Sequence, residues 1–594
     1  MSGARCPAFL PFPSAFNYPR GGGGKGGNLF RSHGVLLRLH CRSSARSIPI
    51  PMRIRFPLLL TAIAALGLLV GAWWWREAHL SQNAGDARTD AAAPLALRTS
   101  FAAGATGLAD QARLAARLAQ LFRRPGVRTD EGVLTFATEA AYREFLARAG
   151  DAGAVVLARI EGLRAVRVRV DNYDAFAGAL RGRGGDFEAI GANPVLQPPA
   201  LPAPPAPPSP EERSSSGQTP VFGGLLSALG FEAADNSAWG QGVLIAILDS
   251  GVLGDATFGD NRVKTLDMGQ GFTGADSAHG TAVAAIAAGG DASARGVAPA
   301  ADILSIRVTD TDGRSDLFTV AQAILAAAGA GAEVINVSLG GYATARLLEQ
   351  AIDQAQAAGA VVVASAGNDQ AGQLAWPAAY PQVISVGATD AAGWQMAFSN
   401  SGEQLRLTAP GYAITTAAGG GDRIWFSGTS ASAPVVSGAI AALLSTNPSL
   451  TAAEAAQVLQ TYANDGGTAG PDAGYGNGVV NLAWAMDRDN ASRVDGAVSA
   501  WVFDAKAGTV EVVVQNRGAQ PLSGASLAVT VDGAPLLYPL LPLEPGASAS
   551  VKVPVASERL EVNGRIVFRA ELAMPPGTLD QAPKNNRAAA ELTN

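Results

Sequence analysis

Between residues 220 and 487 five apolar runs, GVLIAILDSGV, ADILSIRVTD, AEVINVSLGG, AVVVASAGND and QVISVGATD, each end in small polar residues. Ala-rich stretches of helical character lie between them, among them DLFTVAQAILAAAGAGA and ARLLEQAIDQAQAAGA. A strand that is apolar along its whole length must be covered on both faces, and crossover helices on a parallel sheet provide that cover. This region therefore reads as an α/β domain with a parallel sheet and helices on both faces. In such folds the functional side chains sit at the carboxyl ends of the strands. Asp249, Ser338 and Asn368 fall at those ends.

The flanks follow other patterns. Residues 80–130 are Ala-rich and polar, a linker whose segment LADQARLAARLAQLF has its Leu residues at helical spacing. Residues 131–196 give strand, helix, strand, strand, helix, strand, the order of an α+β ferredoxin-like module. An unrelated α+β binding domain fits the same short pattern. Residues 197–219 are Pro- and Ser-rich, which predicts an extended, exposed, protease-accessible linker. After residue 490 short alternating runs between turn residues predict a β-sandwich over 490–594.

Residues 52–76 contain Arg53 and Arg55 ahead of about 20 apolar residues that end in Trp73-Trp74-Trp75. This is a secretory signal peptide or a transmembrane anchor through 56–75, and either places the body outside the cytoplasm. Residues 1–51 lack periodicity and read as disordered or as sequence upstream of a start at Met52. The net charge of −6 gives no support for nucleic-acid binding. Both cysteines, Cys6 and Cys41, precede the apolar segment, so the body has no thiol nucleophile, cysteine metal site or disulfide.

The chain has four histidines, and only His279 lies beyond the N-terminal arm. It opens HGTAVAAIAA, a small-residue helix. Asp249 ends a strand upstream, and Ser430 lies downstream in a Gly-framed turn, FSGTSASAPVV, that leads into another helix. A serine needs a base to become a useful nucleophile, and imidazole suits that task. The imidazole needs a carboxylate to fix its tautomer. A serine at a helix N-terminus also faces backbone N–H donors. Each residue alone has an ordinary structural explanation. Together, in the order Asp, His, Ser, they point to a nucleophilic triad.

The blocks AILDSGV, HGTAVAAIAA, ARGVAPAADILSIRV, EVINVSLGG, VVVASAGND, WPAAYPQVISVGATD, TAPG and FSGTSASAPVVSG resemble, in family order over about 270 residues, the subtilisin-like serine proteases. The resemblance implies a subtilisin-like catalytic domain over 220–487. It makes Asp249 the triad carboxylate, His279 the general base and then acid, Ser430 the nucleophile and Asn368 the oxyanion-hole donor. It also makes Ser338, Leu339, Gly340, Ala366 and Gly367 substrate-binding residues. The expected partners are protein or peptide substrates, and no cofactor is required. The loop AAGGDASARGVAP lacks the Asn-rich sequence that binds calcium in some members, so calcium is possible but not readable there. Ala282 after HGT, and SASAPVV where SMASPHV is common, depart from the family pattern and imply altered packing around the triad. Residues 131–196 resemble the family's propeptide, which would act as an intramolecular inhibitor in a zymogen. The final segment resembles CARDB-like modules. The competing expectation is a catalytically idle subtilisin fold used for binding.

Overall fold

The computed structural model describes residues 96–97, 108–202, 218–259, 262–268, 277–504, 506–531, 533, 535–555 and 565–593. The expectations for residues 1–51, for the signal or anchor at 52–76 and for most of the Pro-rich linker lie outside the described residues.

The N-terminal unit contains β1 (Ala96–Leu97), β2 (Val127–Phe136), β3 (Ala154–Ile160), β4 (Ala165–Val170) and β5 (Phe187–Leu196). They form an antiparallel sheet in the order β1-β5-β2-β4-β3. Helices Glu139–Arg148 and Tyr173–Leu180 complete the β-α-β-β-α-β order of a ferredoxin-like module. Thr138 starts the first of these helices, its hydroxyl accepting from Ala141 N at 3.2 Å. The helix Leu108–Phe122 belongs to the same unit. Leu114, Leu118, Leu121 and Phe122, spaced along one helical face, join Phe136, Phe145, Phe176 and Phe187 in its core.

The central domain carries β6 (Leu244–Asp249), β7 (Val263–Leu266), β8 (Asp302–Arg307), β9 (Ser315–Asp316), β10 (Val334–Val337), β11 (Val361–Ser365), β12 (Ile384–Thr389) and β13 (Leu407–Pro410). Seven of these, all but β9, form a parallel sheet in the order β13-β12-β11-β10-β6-β8-β7. One face is covered by the helices Ala278–Ala288 and Thr429–Thr446, the other by Leu317–Gly329 and Arg346–Ala357. This is the doubly covered parallel α/β sheet that the apolar strands require, and it agrees with the fold the resemblance implies. β7 and β8 lie on one side of β6 and β10 to β13 on the other, so the carboxyl ends of β6 and β10 flank the switch point where such sheets bind ligands. A hairpin of β14 (Ile414–Gly419) and β15 (Asp422–Phe426) precedes the helix Thr429–Thr446. That helix is long and apolar enough to cross a membrane, but it is buried in the core of this domain.

The two units share a sheet edge and a core. β5 pairs with β9 through Val195–Asp316 and Leu196–Ser315. Val133, Ile160, Leu163, Ala165 and Leu196 pack into the apolar layer around the helices Leu317–Gly329 and Arg346–Ala357. Asp316 caps the helix Leu317–Gly329, accepting from Thr319 N, and Arg167 lies 3.1 Å from its second carboxylate oxygen.

The C-terminal region forms two facing antiparallel sheets. One contains β16 (Gly496–Asp504), β17 (Thr509–Asn516) and, further along, β20 (Ser548–Pro554); the other contains β18 (Ser526–Val531), β19 (Leu536–Pro539), β21 (Arg565–Ala573) and β22 (Arg587–Thr593). Trp501, Val510, Val512, Val529, Ile566 and Phe568 fill the layer between them. Gln515 ties this sandwich to the central domain, donating to the Ala463 carbonyl at 3.1 Å and accepting from Asp465 N at 3.1 Å. Arg517, beside it, is buried, and desolvation pushes its guanidinium down to about 10.

Candidate active site

Asp249 is the last residue of β6 and is fully buried. His279 stands in the first turn of the helix Ala278–Ala288, and its Nδ1 lies 2.8 Å from Asp249 Oδ1. Ser250 and Ser277 lock strand end to helix start: Ser277 Oγ donates to the Ser250 carbonyl at 3.0 Å, and Ser250 Oγ accepts from Gly280 N at 3.1 Å. Gly280 is required by this approach, because a Cβ there would lie 2.3 Å from the Gly251 carbonyl oxygen. The edge of His279 meets Phe426, ring centroids 5.3 Å apart, which closes one side of the imidazole with apolar surface.

Ser430 is the second residue of the helix Thr429–Thr446 and is fully buried. Gly428 precedes the helix with φ +127°, a conformation that a side chain would strain. The helices carrying His279 and Ser430 pack closely because both present small residues. At Gly438 a Cβ would lie 2.8 Å from the Ala287 carbonyl oxygen. His279 Nε2 and Ser430 Oγ are both buried, and neither holds a hydrogen bond. The structure thus joins Asp249 to His279 directly and leaves His279 Nε2 and Ser430 Oγ without hydrogen bonds.

Asn368 follows β11. Its Oδ1 accepts from Thr429 N at 3.0 Å and Thr429 Oγ1 at 2.8 Å, so its amide N–H₂ must face outward into the cleft. There Nδ2 donates to the carbonyl of Ala200 at 3.0 Å. Thr429 escapes a sequence reading centred on the serine, although its place immediately before Ser430 is the signal that could have found it.

Ser338, Leu339 and Gly340 continue from β10, and Gly340 exchanges two backbone hydrogen bonds with Gln197, 3.0 and 2.8 Å long. Ala366 and Gly367 follow β11. The Ala366 carbonyl accepts from Ala375 N and from Asn400 Nδ2, and Gly367 N donates to Thr429 Oγ1 at 3.2 Å. Gly367 has φ +108°, and a Cβ there would fall 2.3 Å from Asn400 Nδ2. Residues 197–202, grouped with the linker in the sequence, instead run through this cleft. The cue was the strand FEAIGANPVL leading straight into them.

The loop in which the sequence left calcium unreadable carries an ion pair, its Asp291 facing the guanidinium of Arg423. Arg423 of β15 reaches Asp291 Oδ2 at 2.6 Å and Asp255 Oδ2 at 3.3 Å, and Ser293 also donates to Asp291. Among the described residues no group of three or more His, Cys, Asp or Glu side chains could hold a metal ion. The donor set at this loop does not fit calcium, because its carboxylates face a fixed guanidinium.

Residues 240–478 match the model of the subtilase family, peptidase S8. Subtilisin BL from Lederbergia lenta is 34% identical over 247 residues, covering 41% of this chain and 90% of that protein. Subtilisin E from Bacillus subtilis is 33% identical over 256 residues, covering 41% of this chain and 65% of that protein. Alkaline elastase YaB from Bacillus sp. strain YaB is 33% identical over 244 residues, and the chain spans 64% of its length. Among solved structures, fervidolysin from Fervidobacterium pennivorans has a TM-score of 0.50 at 20% identity, with 79% of this chain and 77% of that one covered, a likeness of fold. With its sheet, its matched region and a relative covered almost end to end, this chain belongs to the subtilase family of serine peptidases.

Proposed function

We propose that the chain is an exported serine endopeptidase made as a self-inhibited zymogen, with Asp249, His279 and Ser430 as its triad and Asn368 in its oxyanion hole. The observation that carries this reading is the Asp249–His279 pair at 2.8 Å, together with a His279 Nε2 and a Ser430 hydroxyl that are both buried and hold no hydrogen bond. Ser430 Oγ attacks the substrate carbonyl carbon while His279 Nε2 takes its proton. Asp249 holds Nδ1–H and stabilises the imidazolium. Asn368 Nδ2 and the Ser430 backbone N–H donate to the oxyanion. His279 then protonates the departing amine, and the acyl-enzyme is hydrolysed by water that loses its proton to the same nitrogen. Ser338 to Gly340 on one side, and Ala366 and Gly367 on the other, hold the substrate backbone. No cofactor takes part in these steps.

The zymogen reading is supported by the course of residues 197–202. Gln197 pairs with Gly340, and the Ala200 carbonyl rests on Asn368 Nδ2, where a substrate carbonyl would lie. The ferredoxin-like unit acts as the propeptide, and the bond it presents for cutting is Ala200–Leu201. Export rests on residues 52–76, as signal or anchor. The C-terminal sandwich, CARDB-like in sequence, stabilises the catalytic domain through the Gln515 contacts. A fluorophosphonate probe tests the central point. Labelling of Ser430 in the mature protein is expected, whereas a protein never labelled, even after removal of residues 1–200, is not a peptidase. N-terminal sequencing of the mature form is expected to begin at Leu201, and Ser430→Ala is expected to accumulate the uncut chain.

A further inference from the structure

Proline at position 434 creates a gap in the serine helix. In an α-helix the Ser430 carbonyl would accept from the N–H four residues on, and Pro434 has none. Ser338 Oγ stands 3.4 Å from that carbonyl and donates to it. Ser338 Oγ in turn accepts from Asn336 Nδ2 at 3.0 Å, and Asn336 Oδ1 accepts from Ser437 Oγ at 3.0 Å. All four residues are fully buried, so no water competes for these groups.

The direction of this chain is decided at its far end. Ser437 has one hydroxyl proton and two acceptors in reach, Asn336 Oδ1 and the Ala433 carbonyl at 3.1 Å. The Ala433 carbonyl already accepts the helical N–H of Ser437, so the proton is better used on Asn336. That donation fixes which way the Asn336 amide faces. With its oxygen toward Ser437, its N–H₂ must face Ser338, and a hydroxyl that accepts from an amide is free to donate onward. Were the amide reversed, Ser338 would donate to Asn336 and leave the Ser430 carbonyl without the bond that Pro434 cannot give.

We propose that Ser437 is a positioning residue for the nucleophile: acting through Asn336 and Ser338, it restores the hydrogen bond missing at Ser430 and holds the first turn of the serine helix. That turn carries both the Ser430 hydroxyl and its backbone N–H, so its set affects attack and oxyanion binding more than substrate affinity. The proposal rests on the peptidase reading above.

The test compares mature wild type with Ser437→Ala and Ser437→Thr, each quantified by folded protein. The readouts are the rate of fluorophosphonate labelling at Ser430 and kcat and KM on a peptide substrate. Ser437→Ala is expected to label about 3- to 10-fold more slowly, with kcat reduced alike and KM unchanged, which a loss of stability alone would not produce. Ser437→Thr keeps the hydroxyl and is expected to recover most of that loss. If Ser437→Ala does not fold, Ser437→Cys, a weak donor of similar shape, takes its place in the comparison. Labelling by the donor-poor variants at the wild-type rate overturns the relay alone. A wild-type protein that is never labelled overturns the peptidase reading, and the relay with it.

Discussion

Gln197 and Gly340, 143 positions apart in the sequence, donate to each other's carbonyls as an isolated antiparallel bridge. The pair joins the end of the N-terminal unit to the strand that carries Ser338. Gln197→Pro deletes one of the two donors without touching the triad. Inhibition by the N-terminal unit is expected to weaken about fivefold, the worth of one net hydrogen bond. Titration of mature enzyme with the separated unit measures this, and an unchanged inhibition constant would count against the bridge as a source of affinity.

Asn368 is held from behind by Thr429 and points its amide into the cleft. Asn368→Leu keeps the volume and removes the donor. Turnover is expected to fall ~10²–10³-fold with KM little changed, because the oxyanion forms only in the transition state. Steady-state kinetics on a short peptide decide it. A fall in affinity alone would assign Asn368 to ground-state binding.

Arg423 links the β14–β15 hairpin to the loops of Asp255 and Asp291. Burial raises the Asp255 carboxyl, but backbone donors from Thr257 and Gly421 together with Arg423 outweigh it and hold the group below the usual range. Asp291 is lowered by the Ser293 backbone N–H and by Arg423. Carboxylates lowered in the folded state stabilise it above their unfolded pKa of about 4, and that contribution is lost as pH falls through the folded value. Arg423→Ala should therefore lower Tm near neutral pH, and the gap to wild type should hold down to about pH 5 and close as pH falls further, to about 4 and below. Thermal melts across that range provide the check. A gap independent of pH would mean that Arg423 acts through packing alone.

The same guanidinium predicts the response to chelation. Since Arg423 already supplies positive charge between Asp255 and Asp291, excess EDTA is expected to leave Tm and activity unchanged. A marked drop in Tm would reveal a metal bound through other groups.

Much of the site was legible because its chemistry is written at strand and helix ends. Asp249 closes an apolar strand, His279 is the one imidazole of the body, and Ser430 opens a helix after Gly428. Apolar strands without alternation also made a doubly covered parallel sheet the natural solution, since each residue's neighbours on both faces had to be apolar. The course of residues 197–202 was less legible: proline-rich sequence has no periodicity, and nothing local distinguishes a tail seated in a cleft from one in solvent. Its partner, Gly340, lies in another domain.

The sequence by itself determined the strands, the helices and the residue types able to do acyl transfer, because these depend on local pattern and side-chain chemistry. Only the tertiary structure decided how they couple. It set His279 Nδ1 on Asp249, turned the Asn368 amide outward by Thr429, placed Arg423 between Asp255 and Asp291 and supplied the Ser430 carbonyl with Ser338. Each of these is a contact between residues far apart in the chain, whose geometry exists only once the sheet has brought the ends of its strands together.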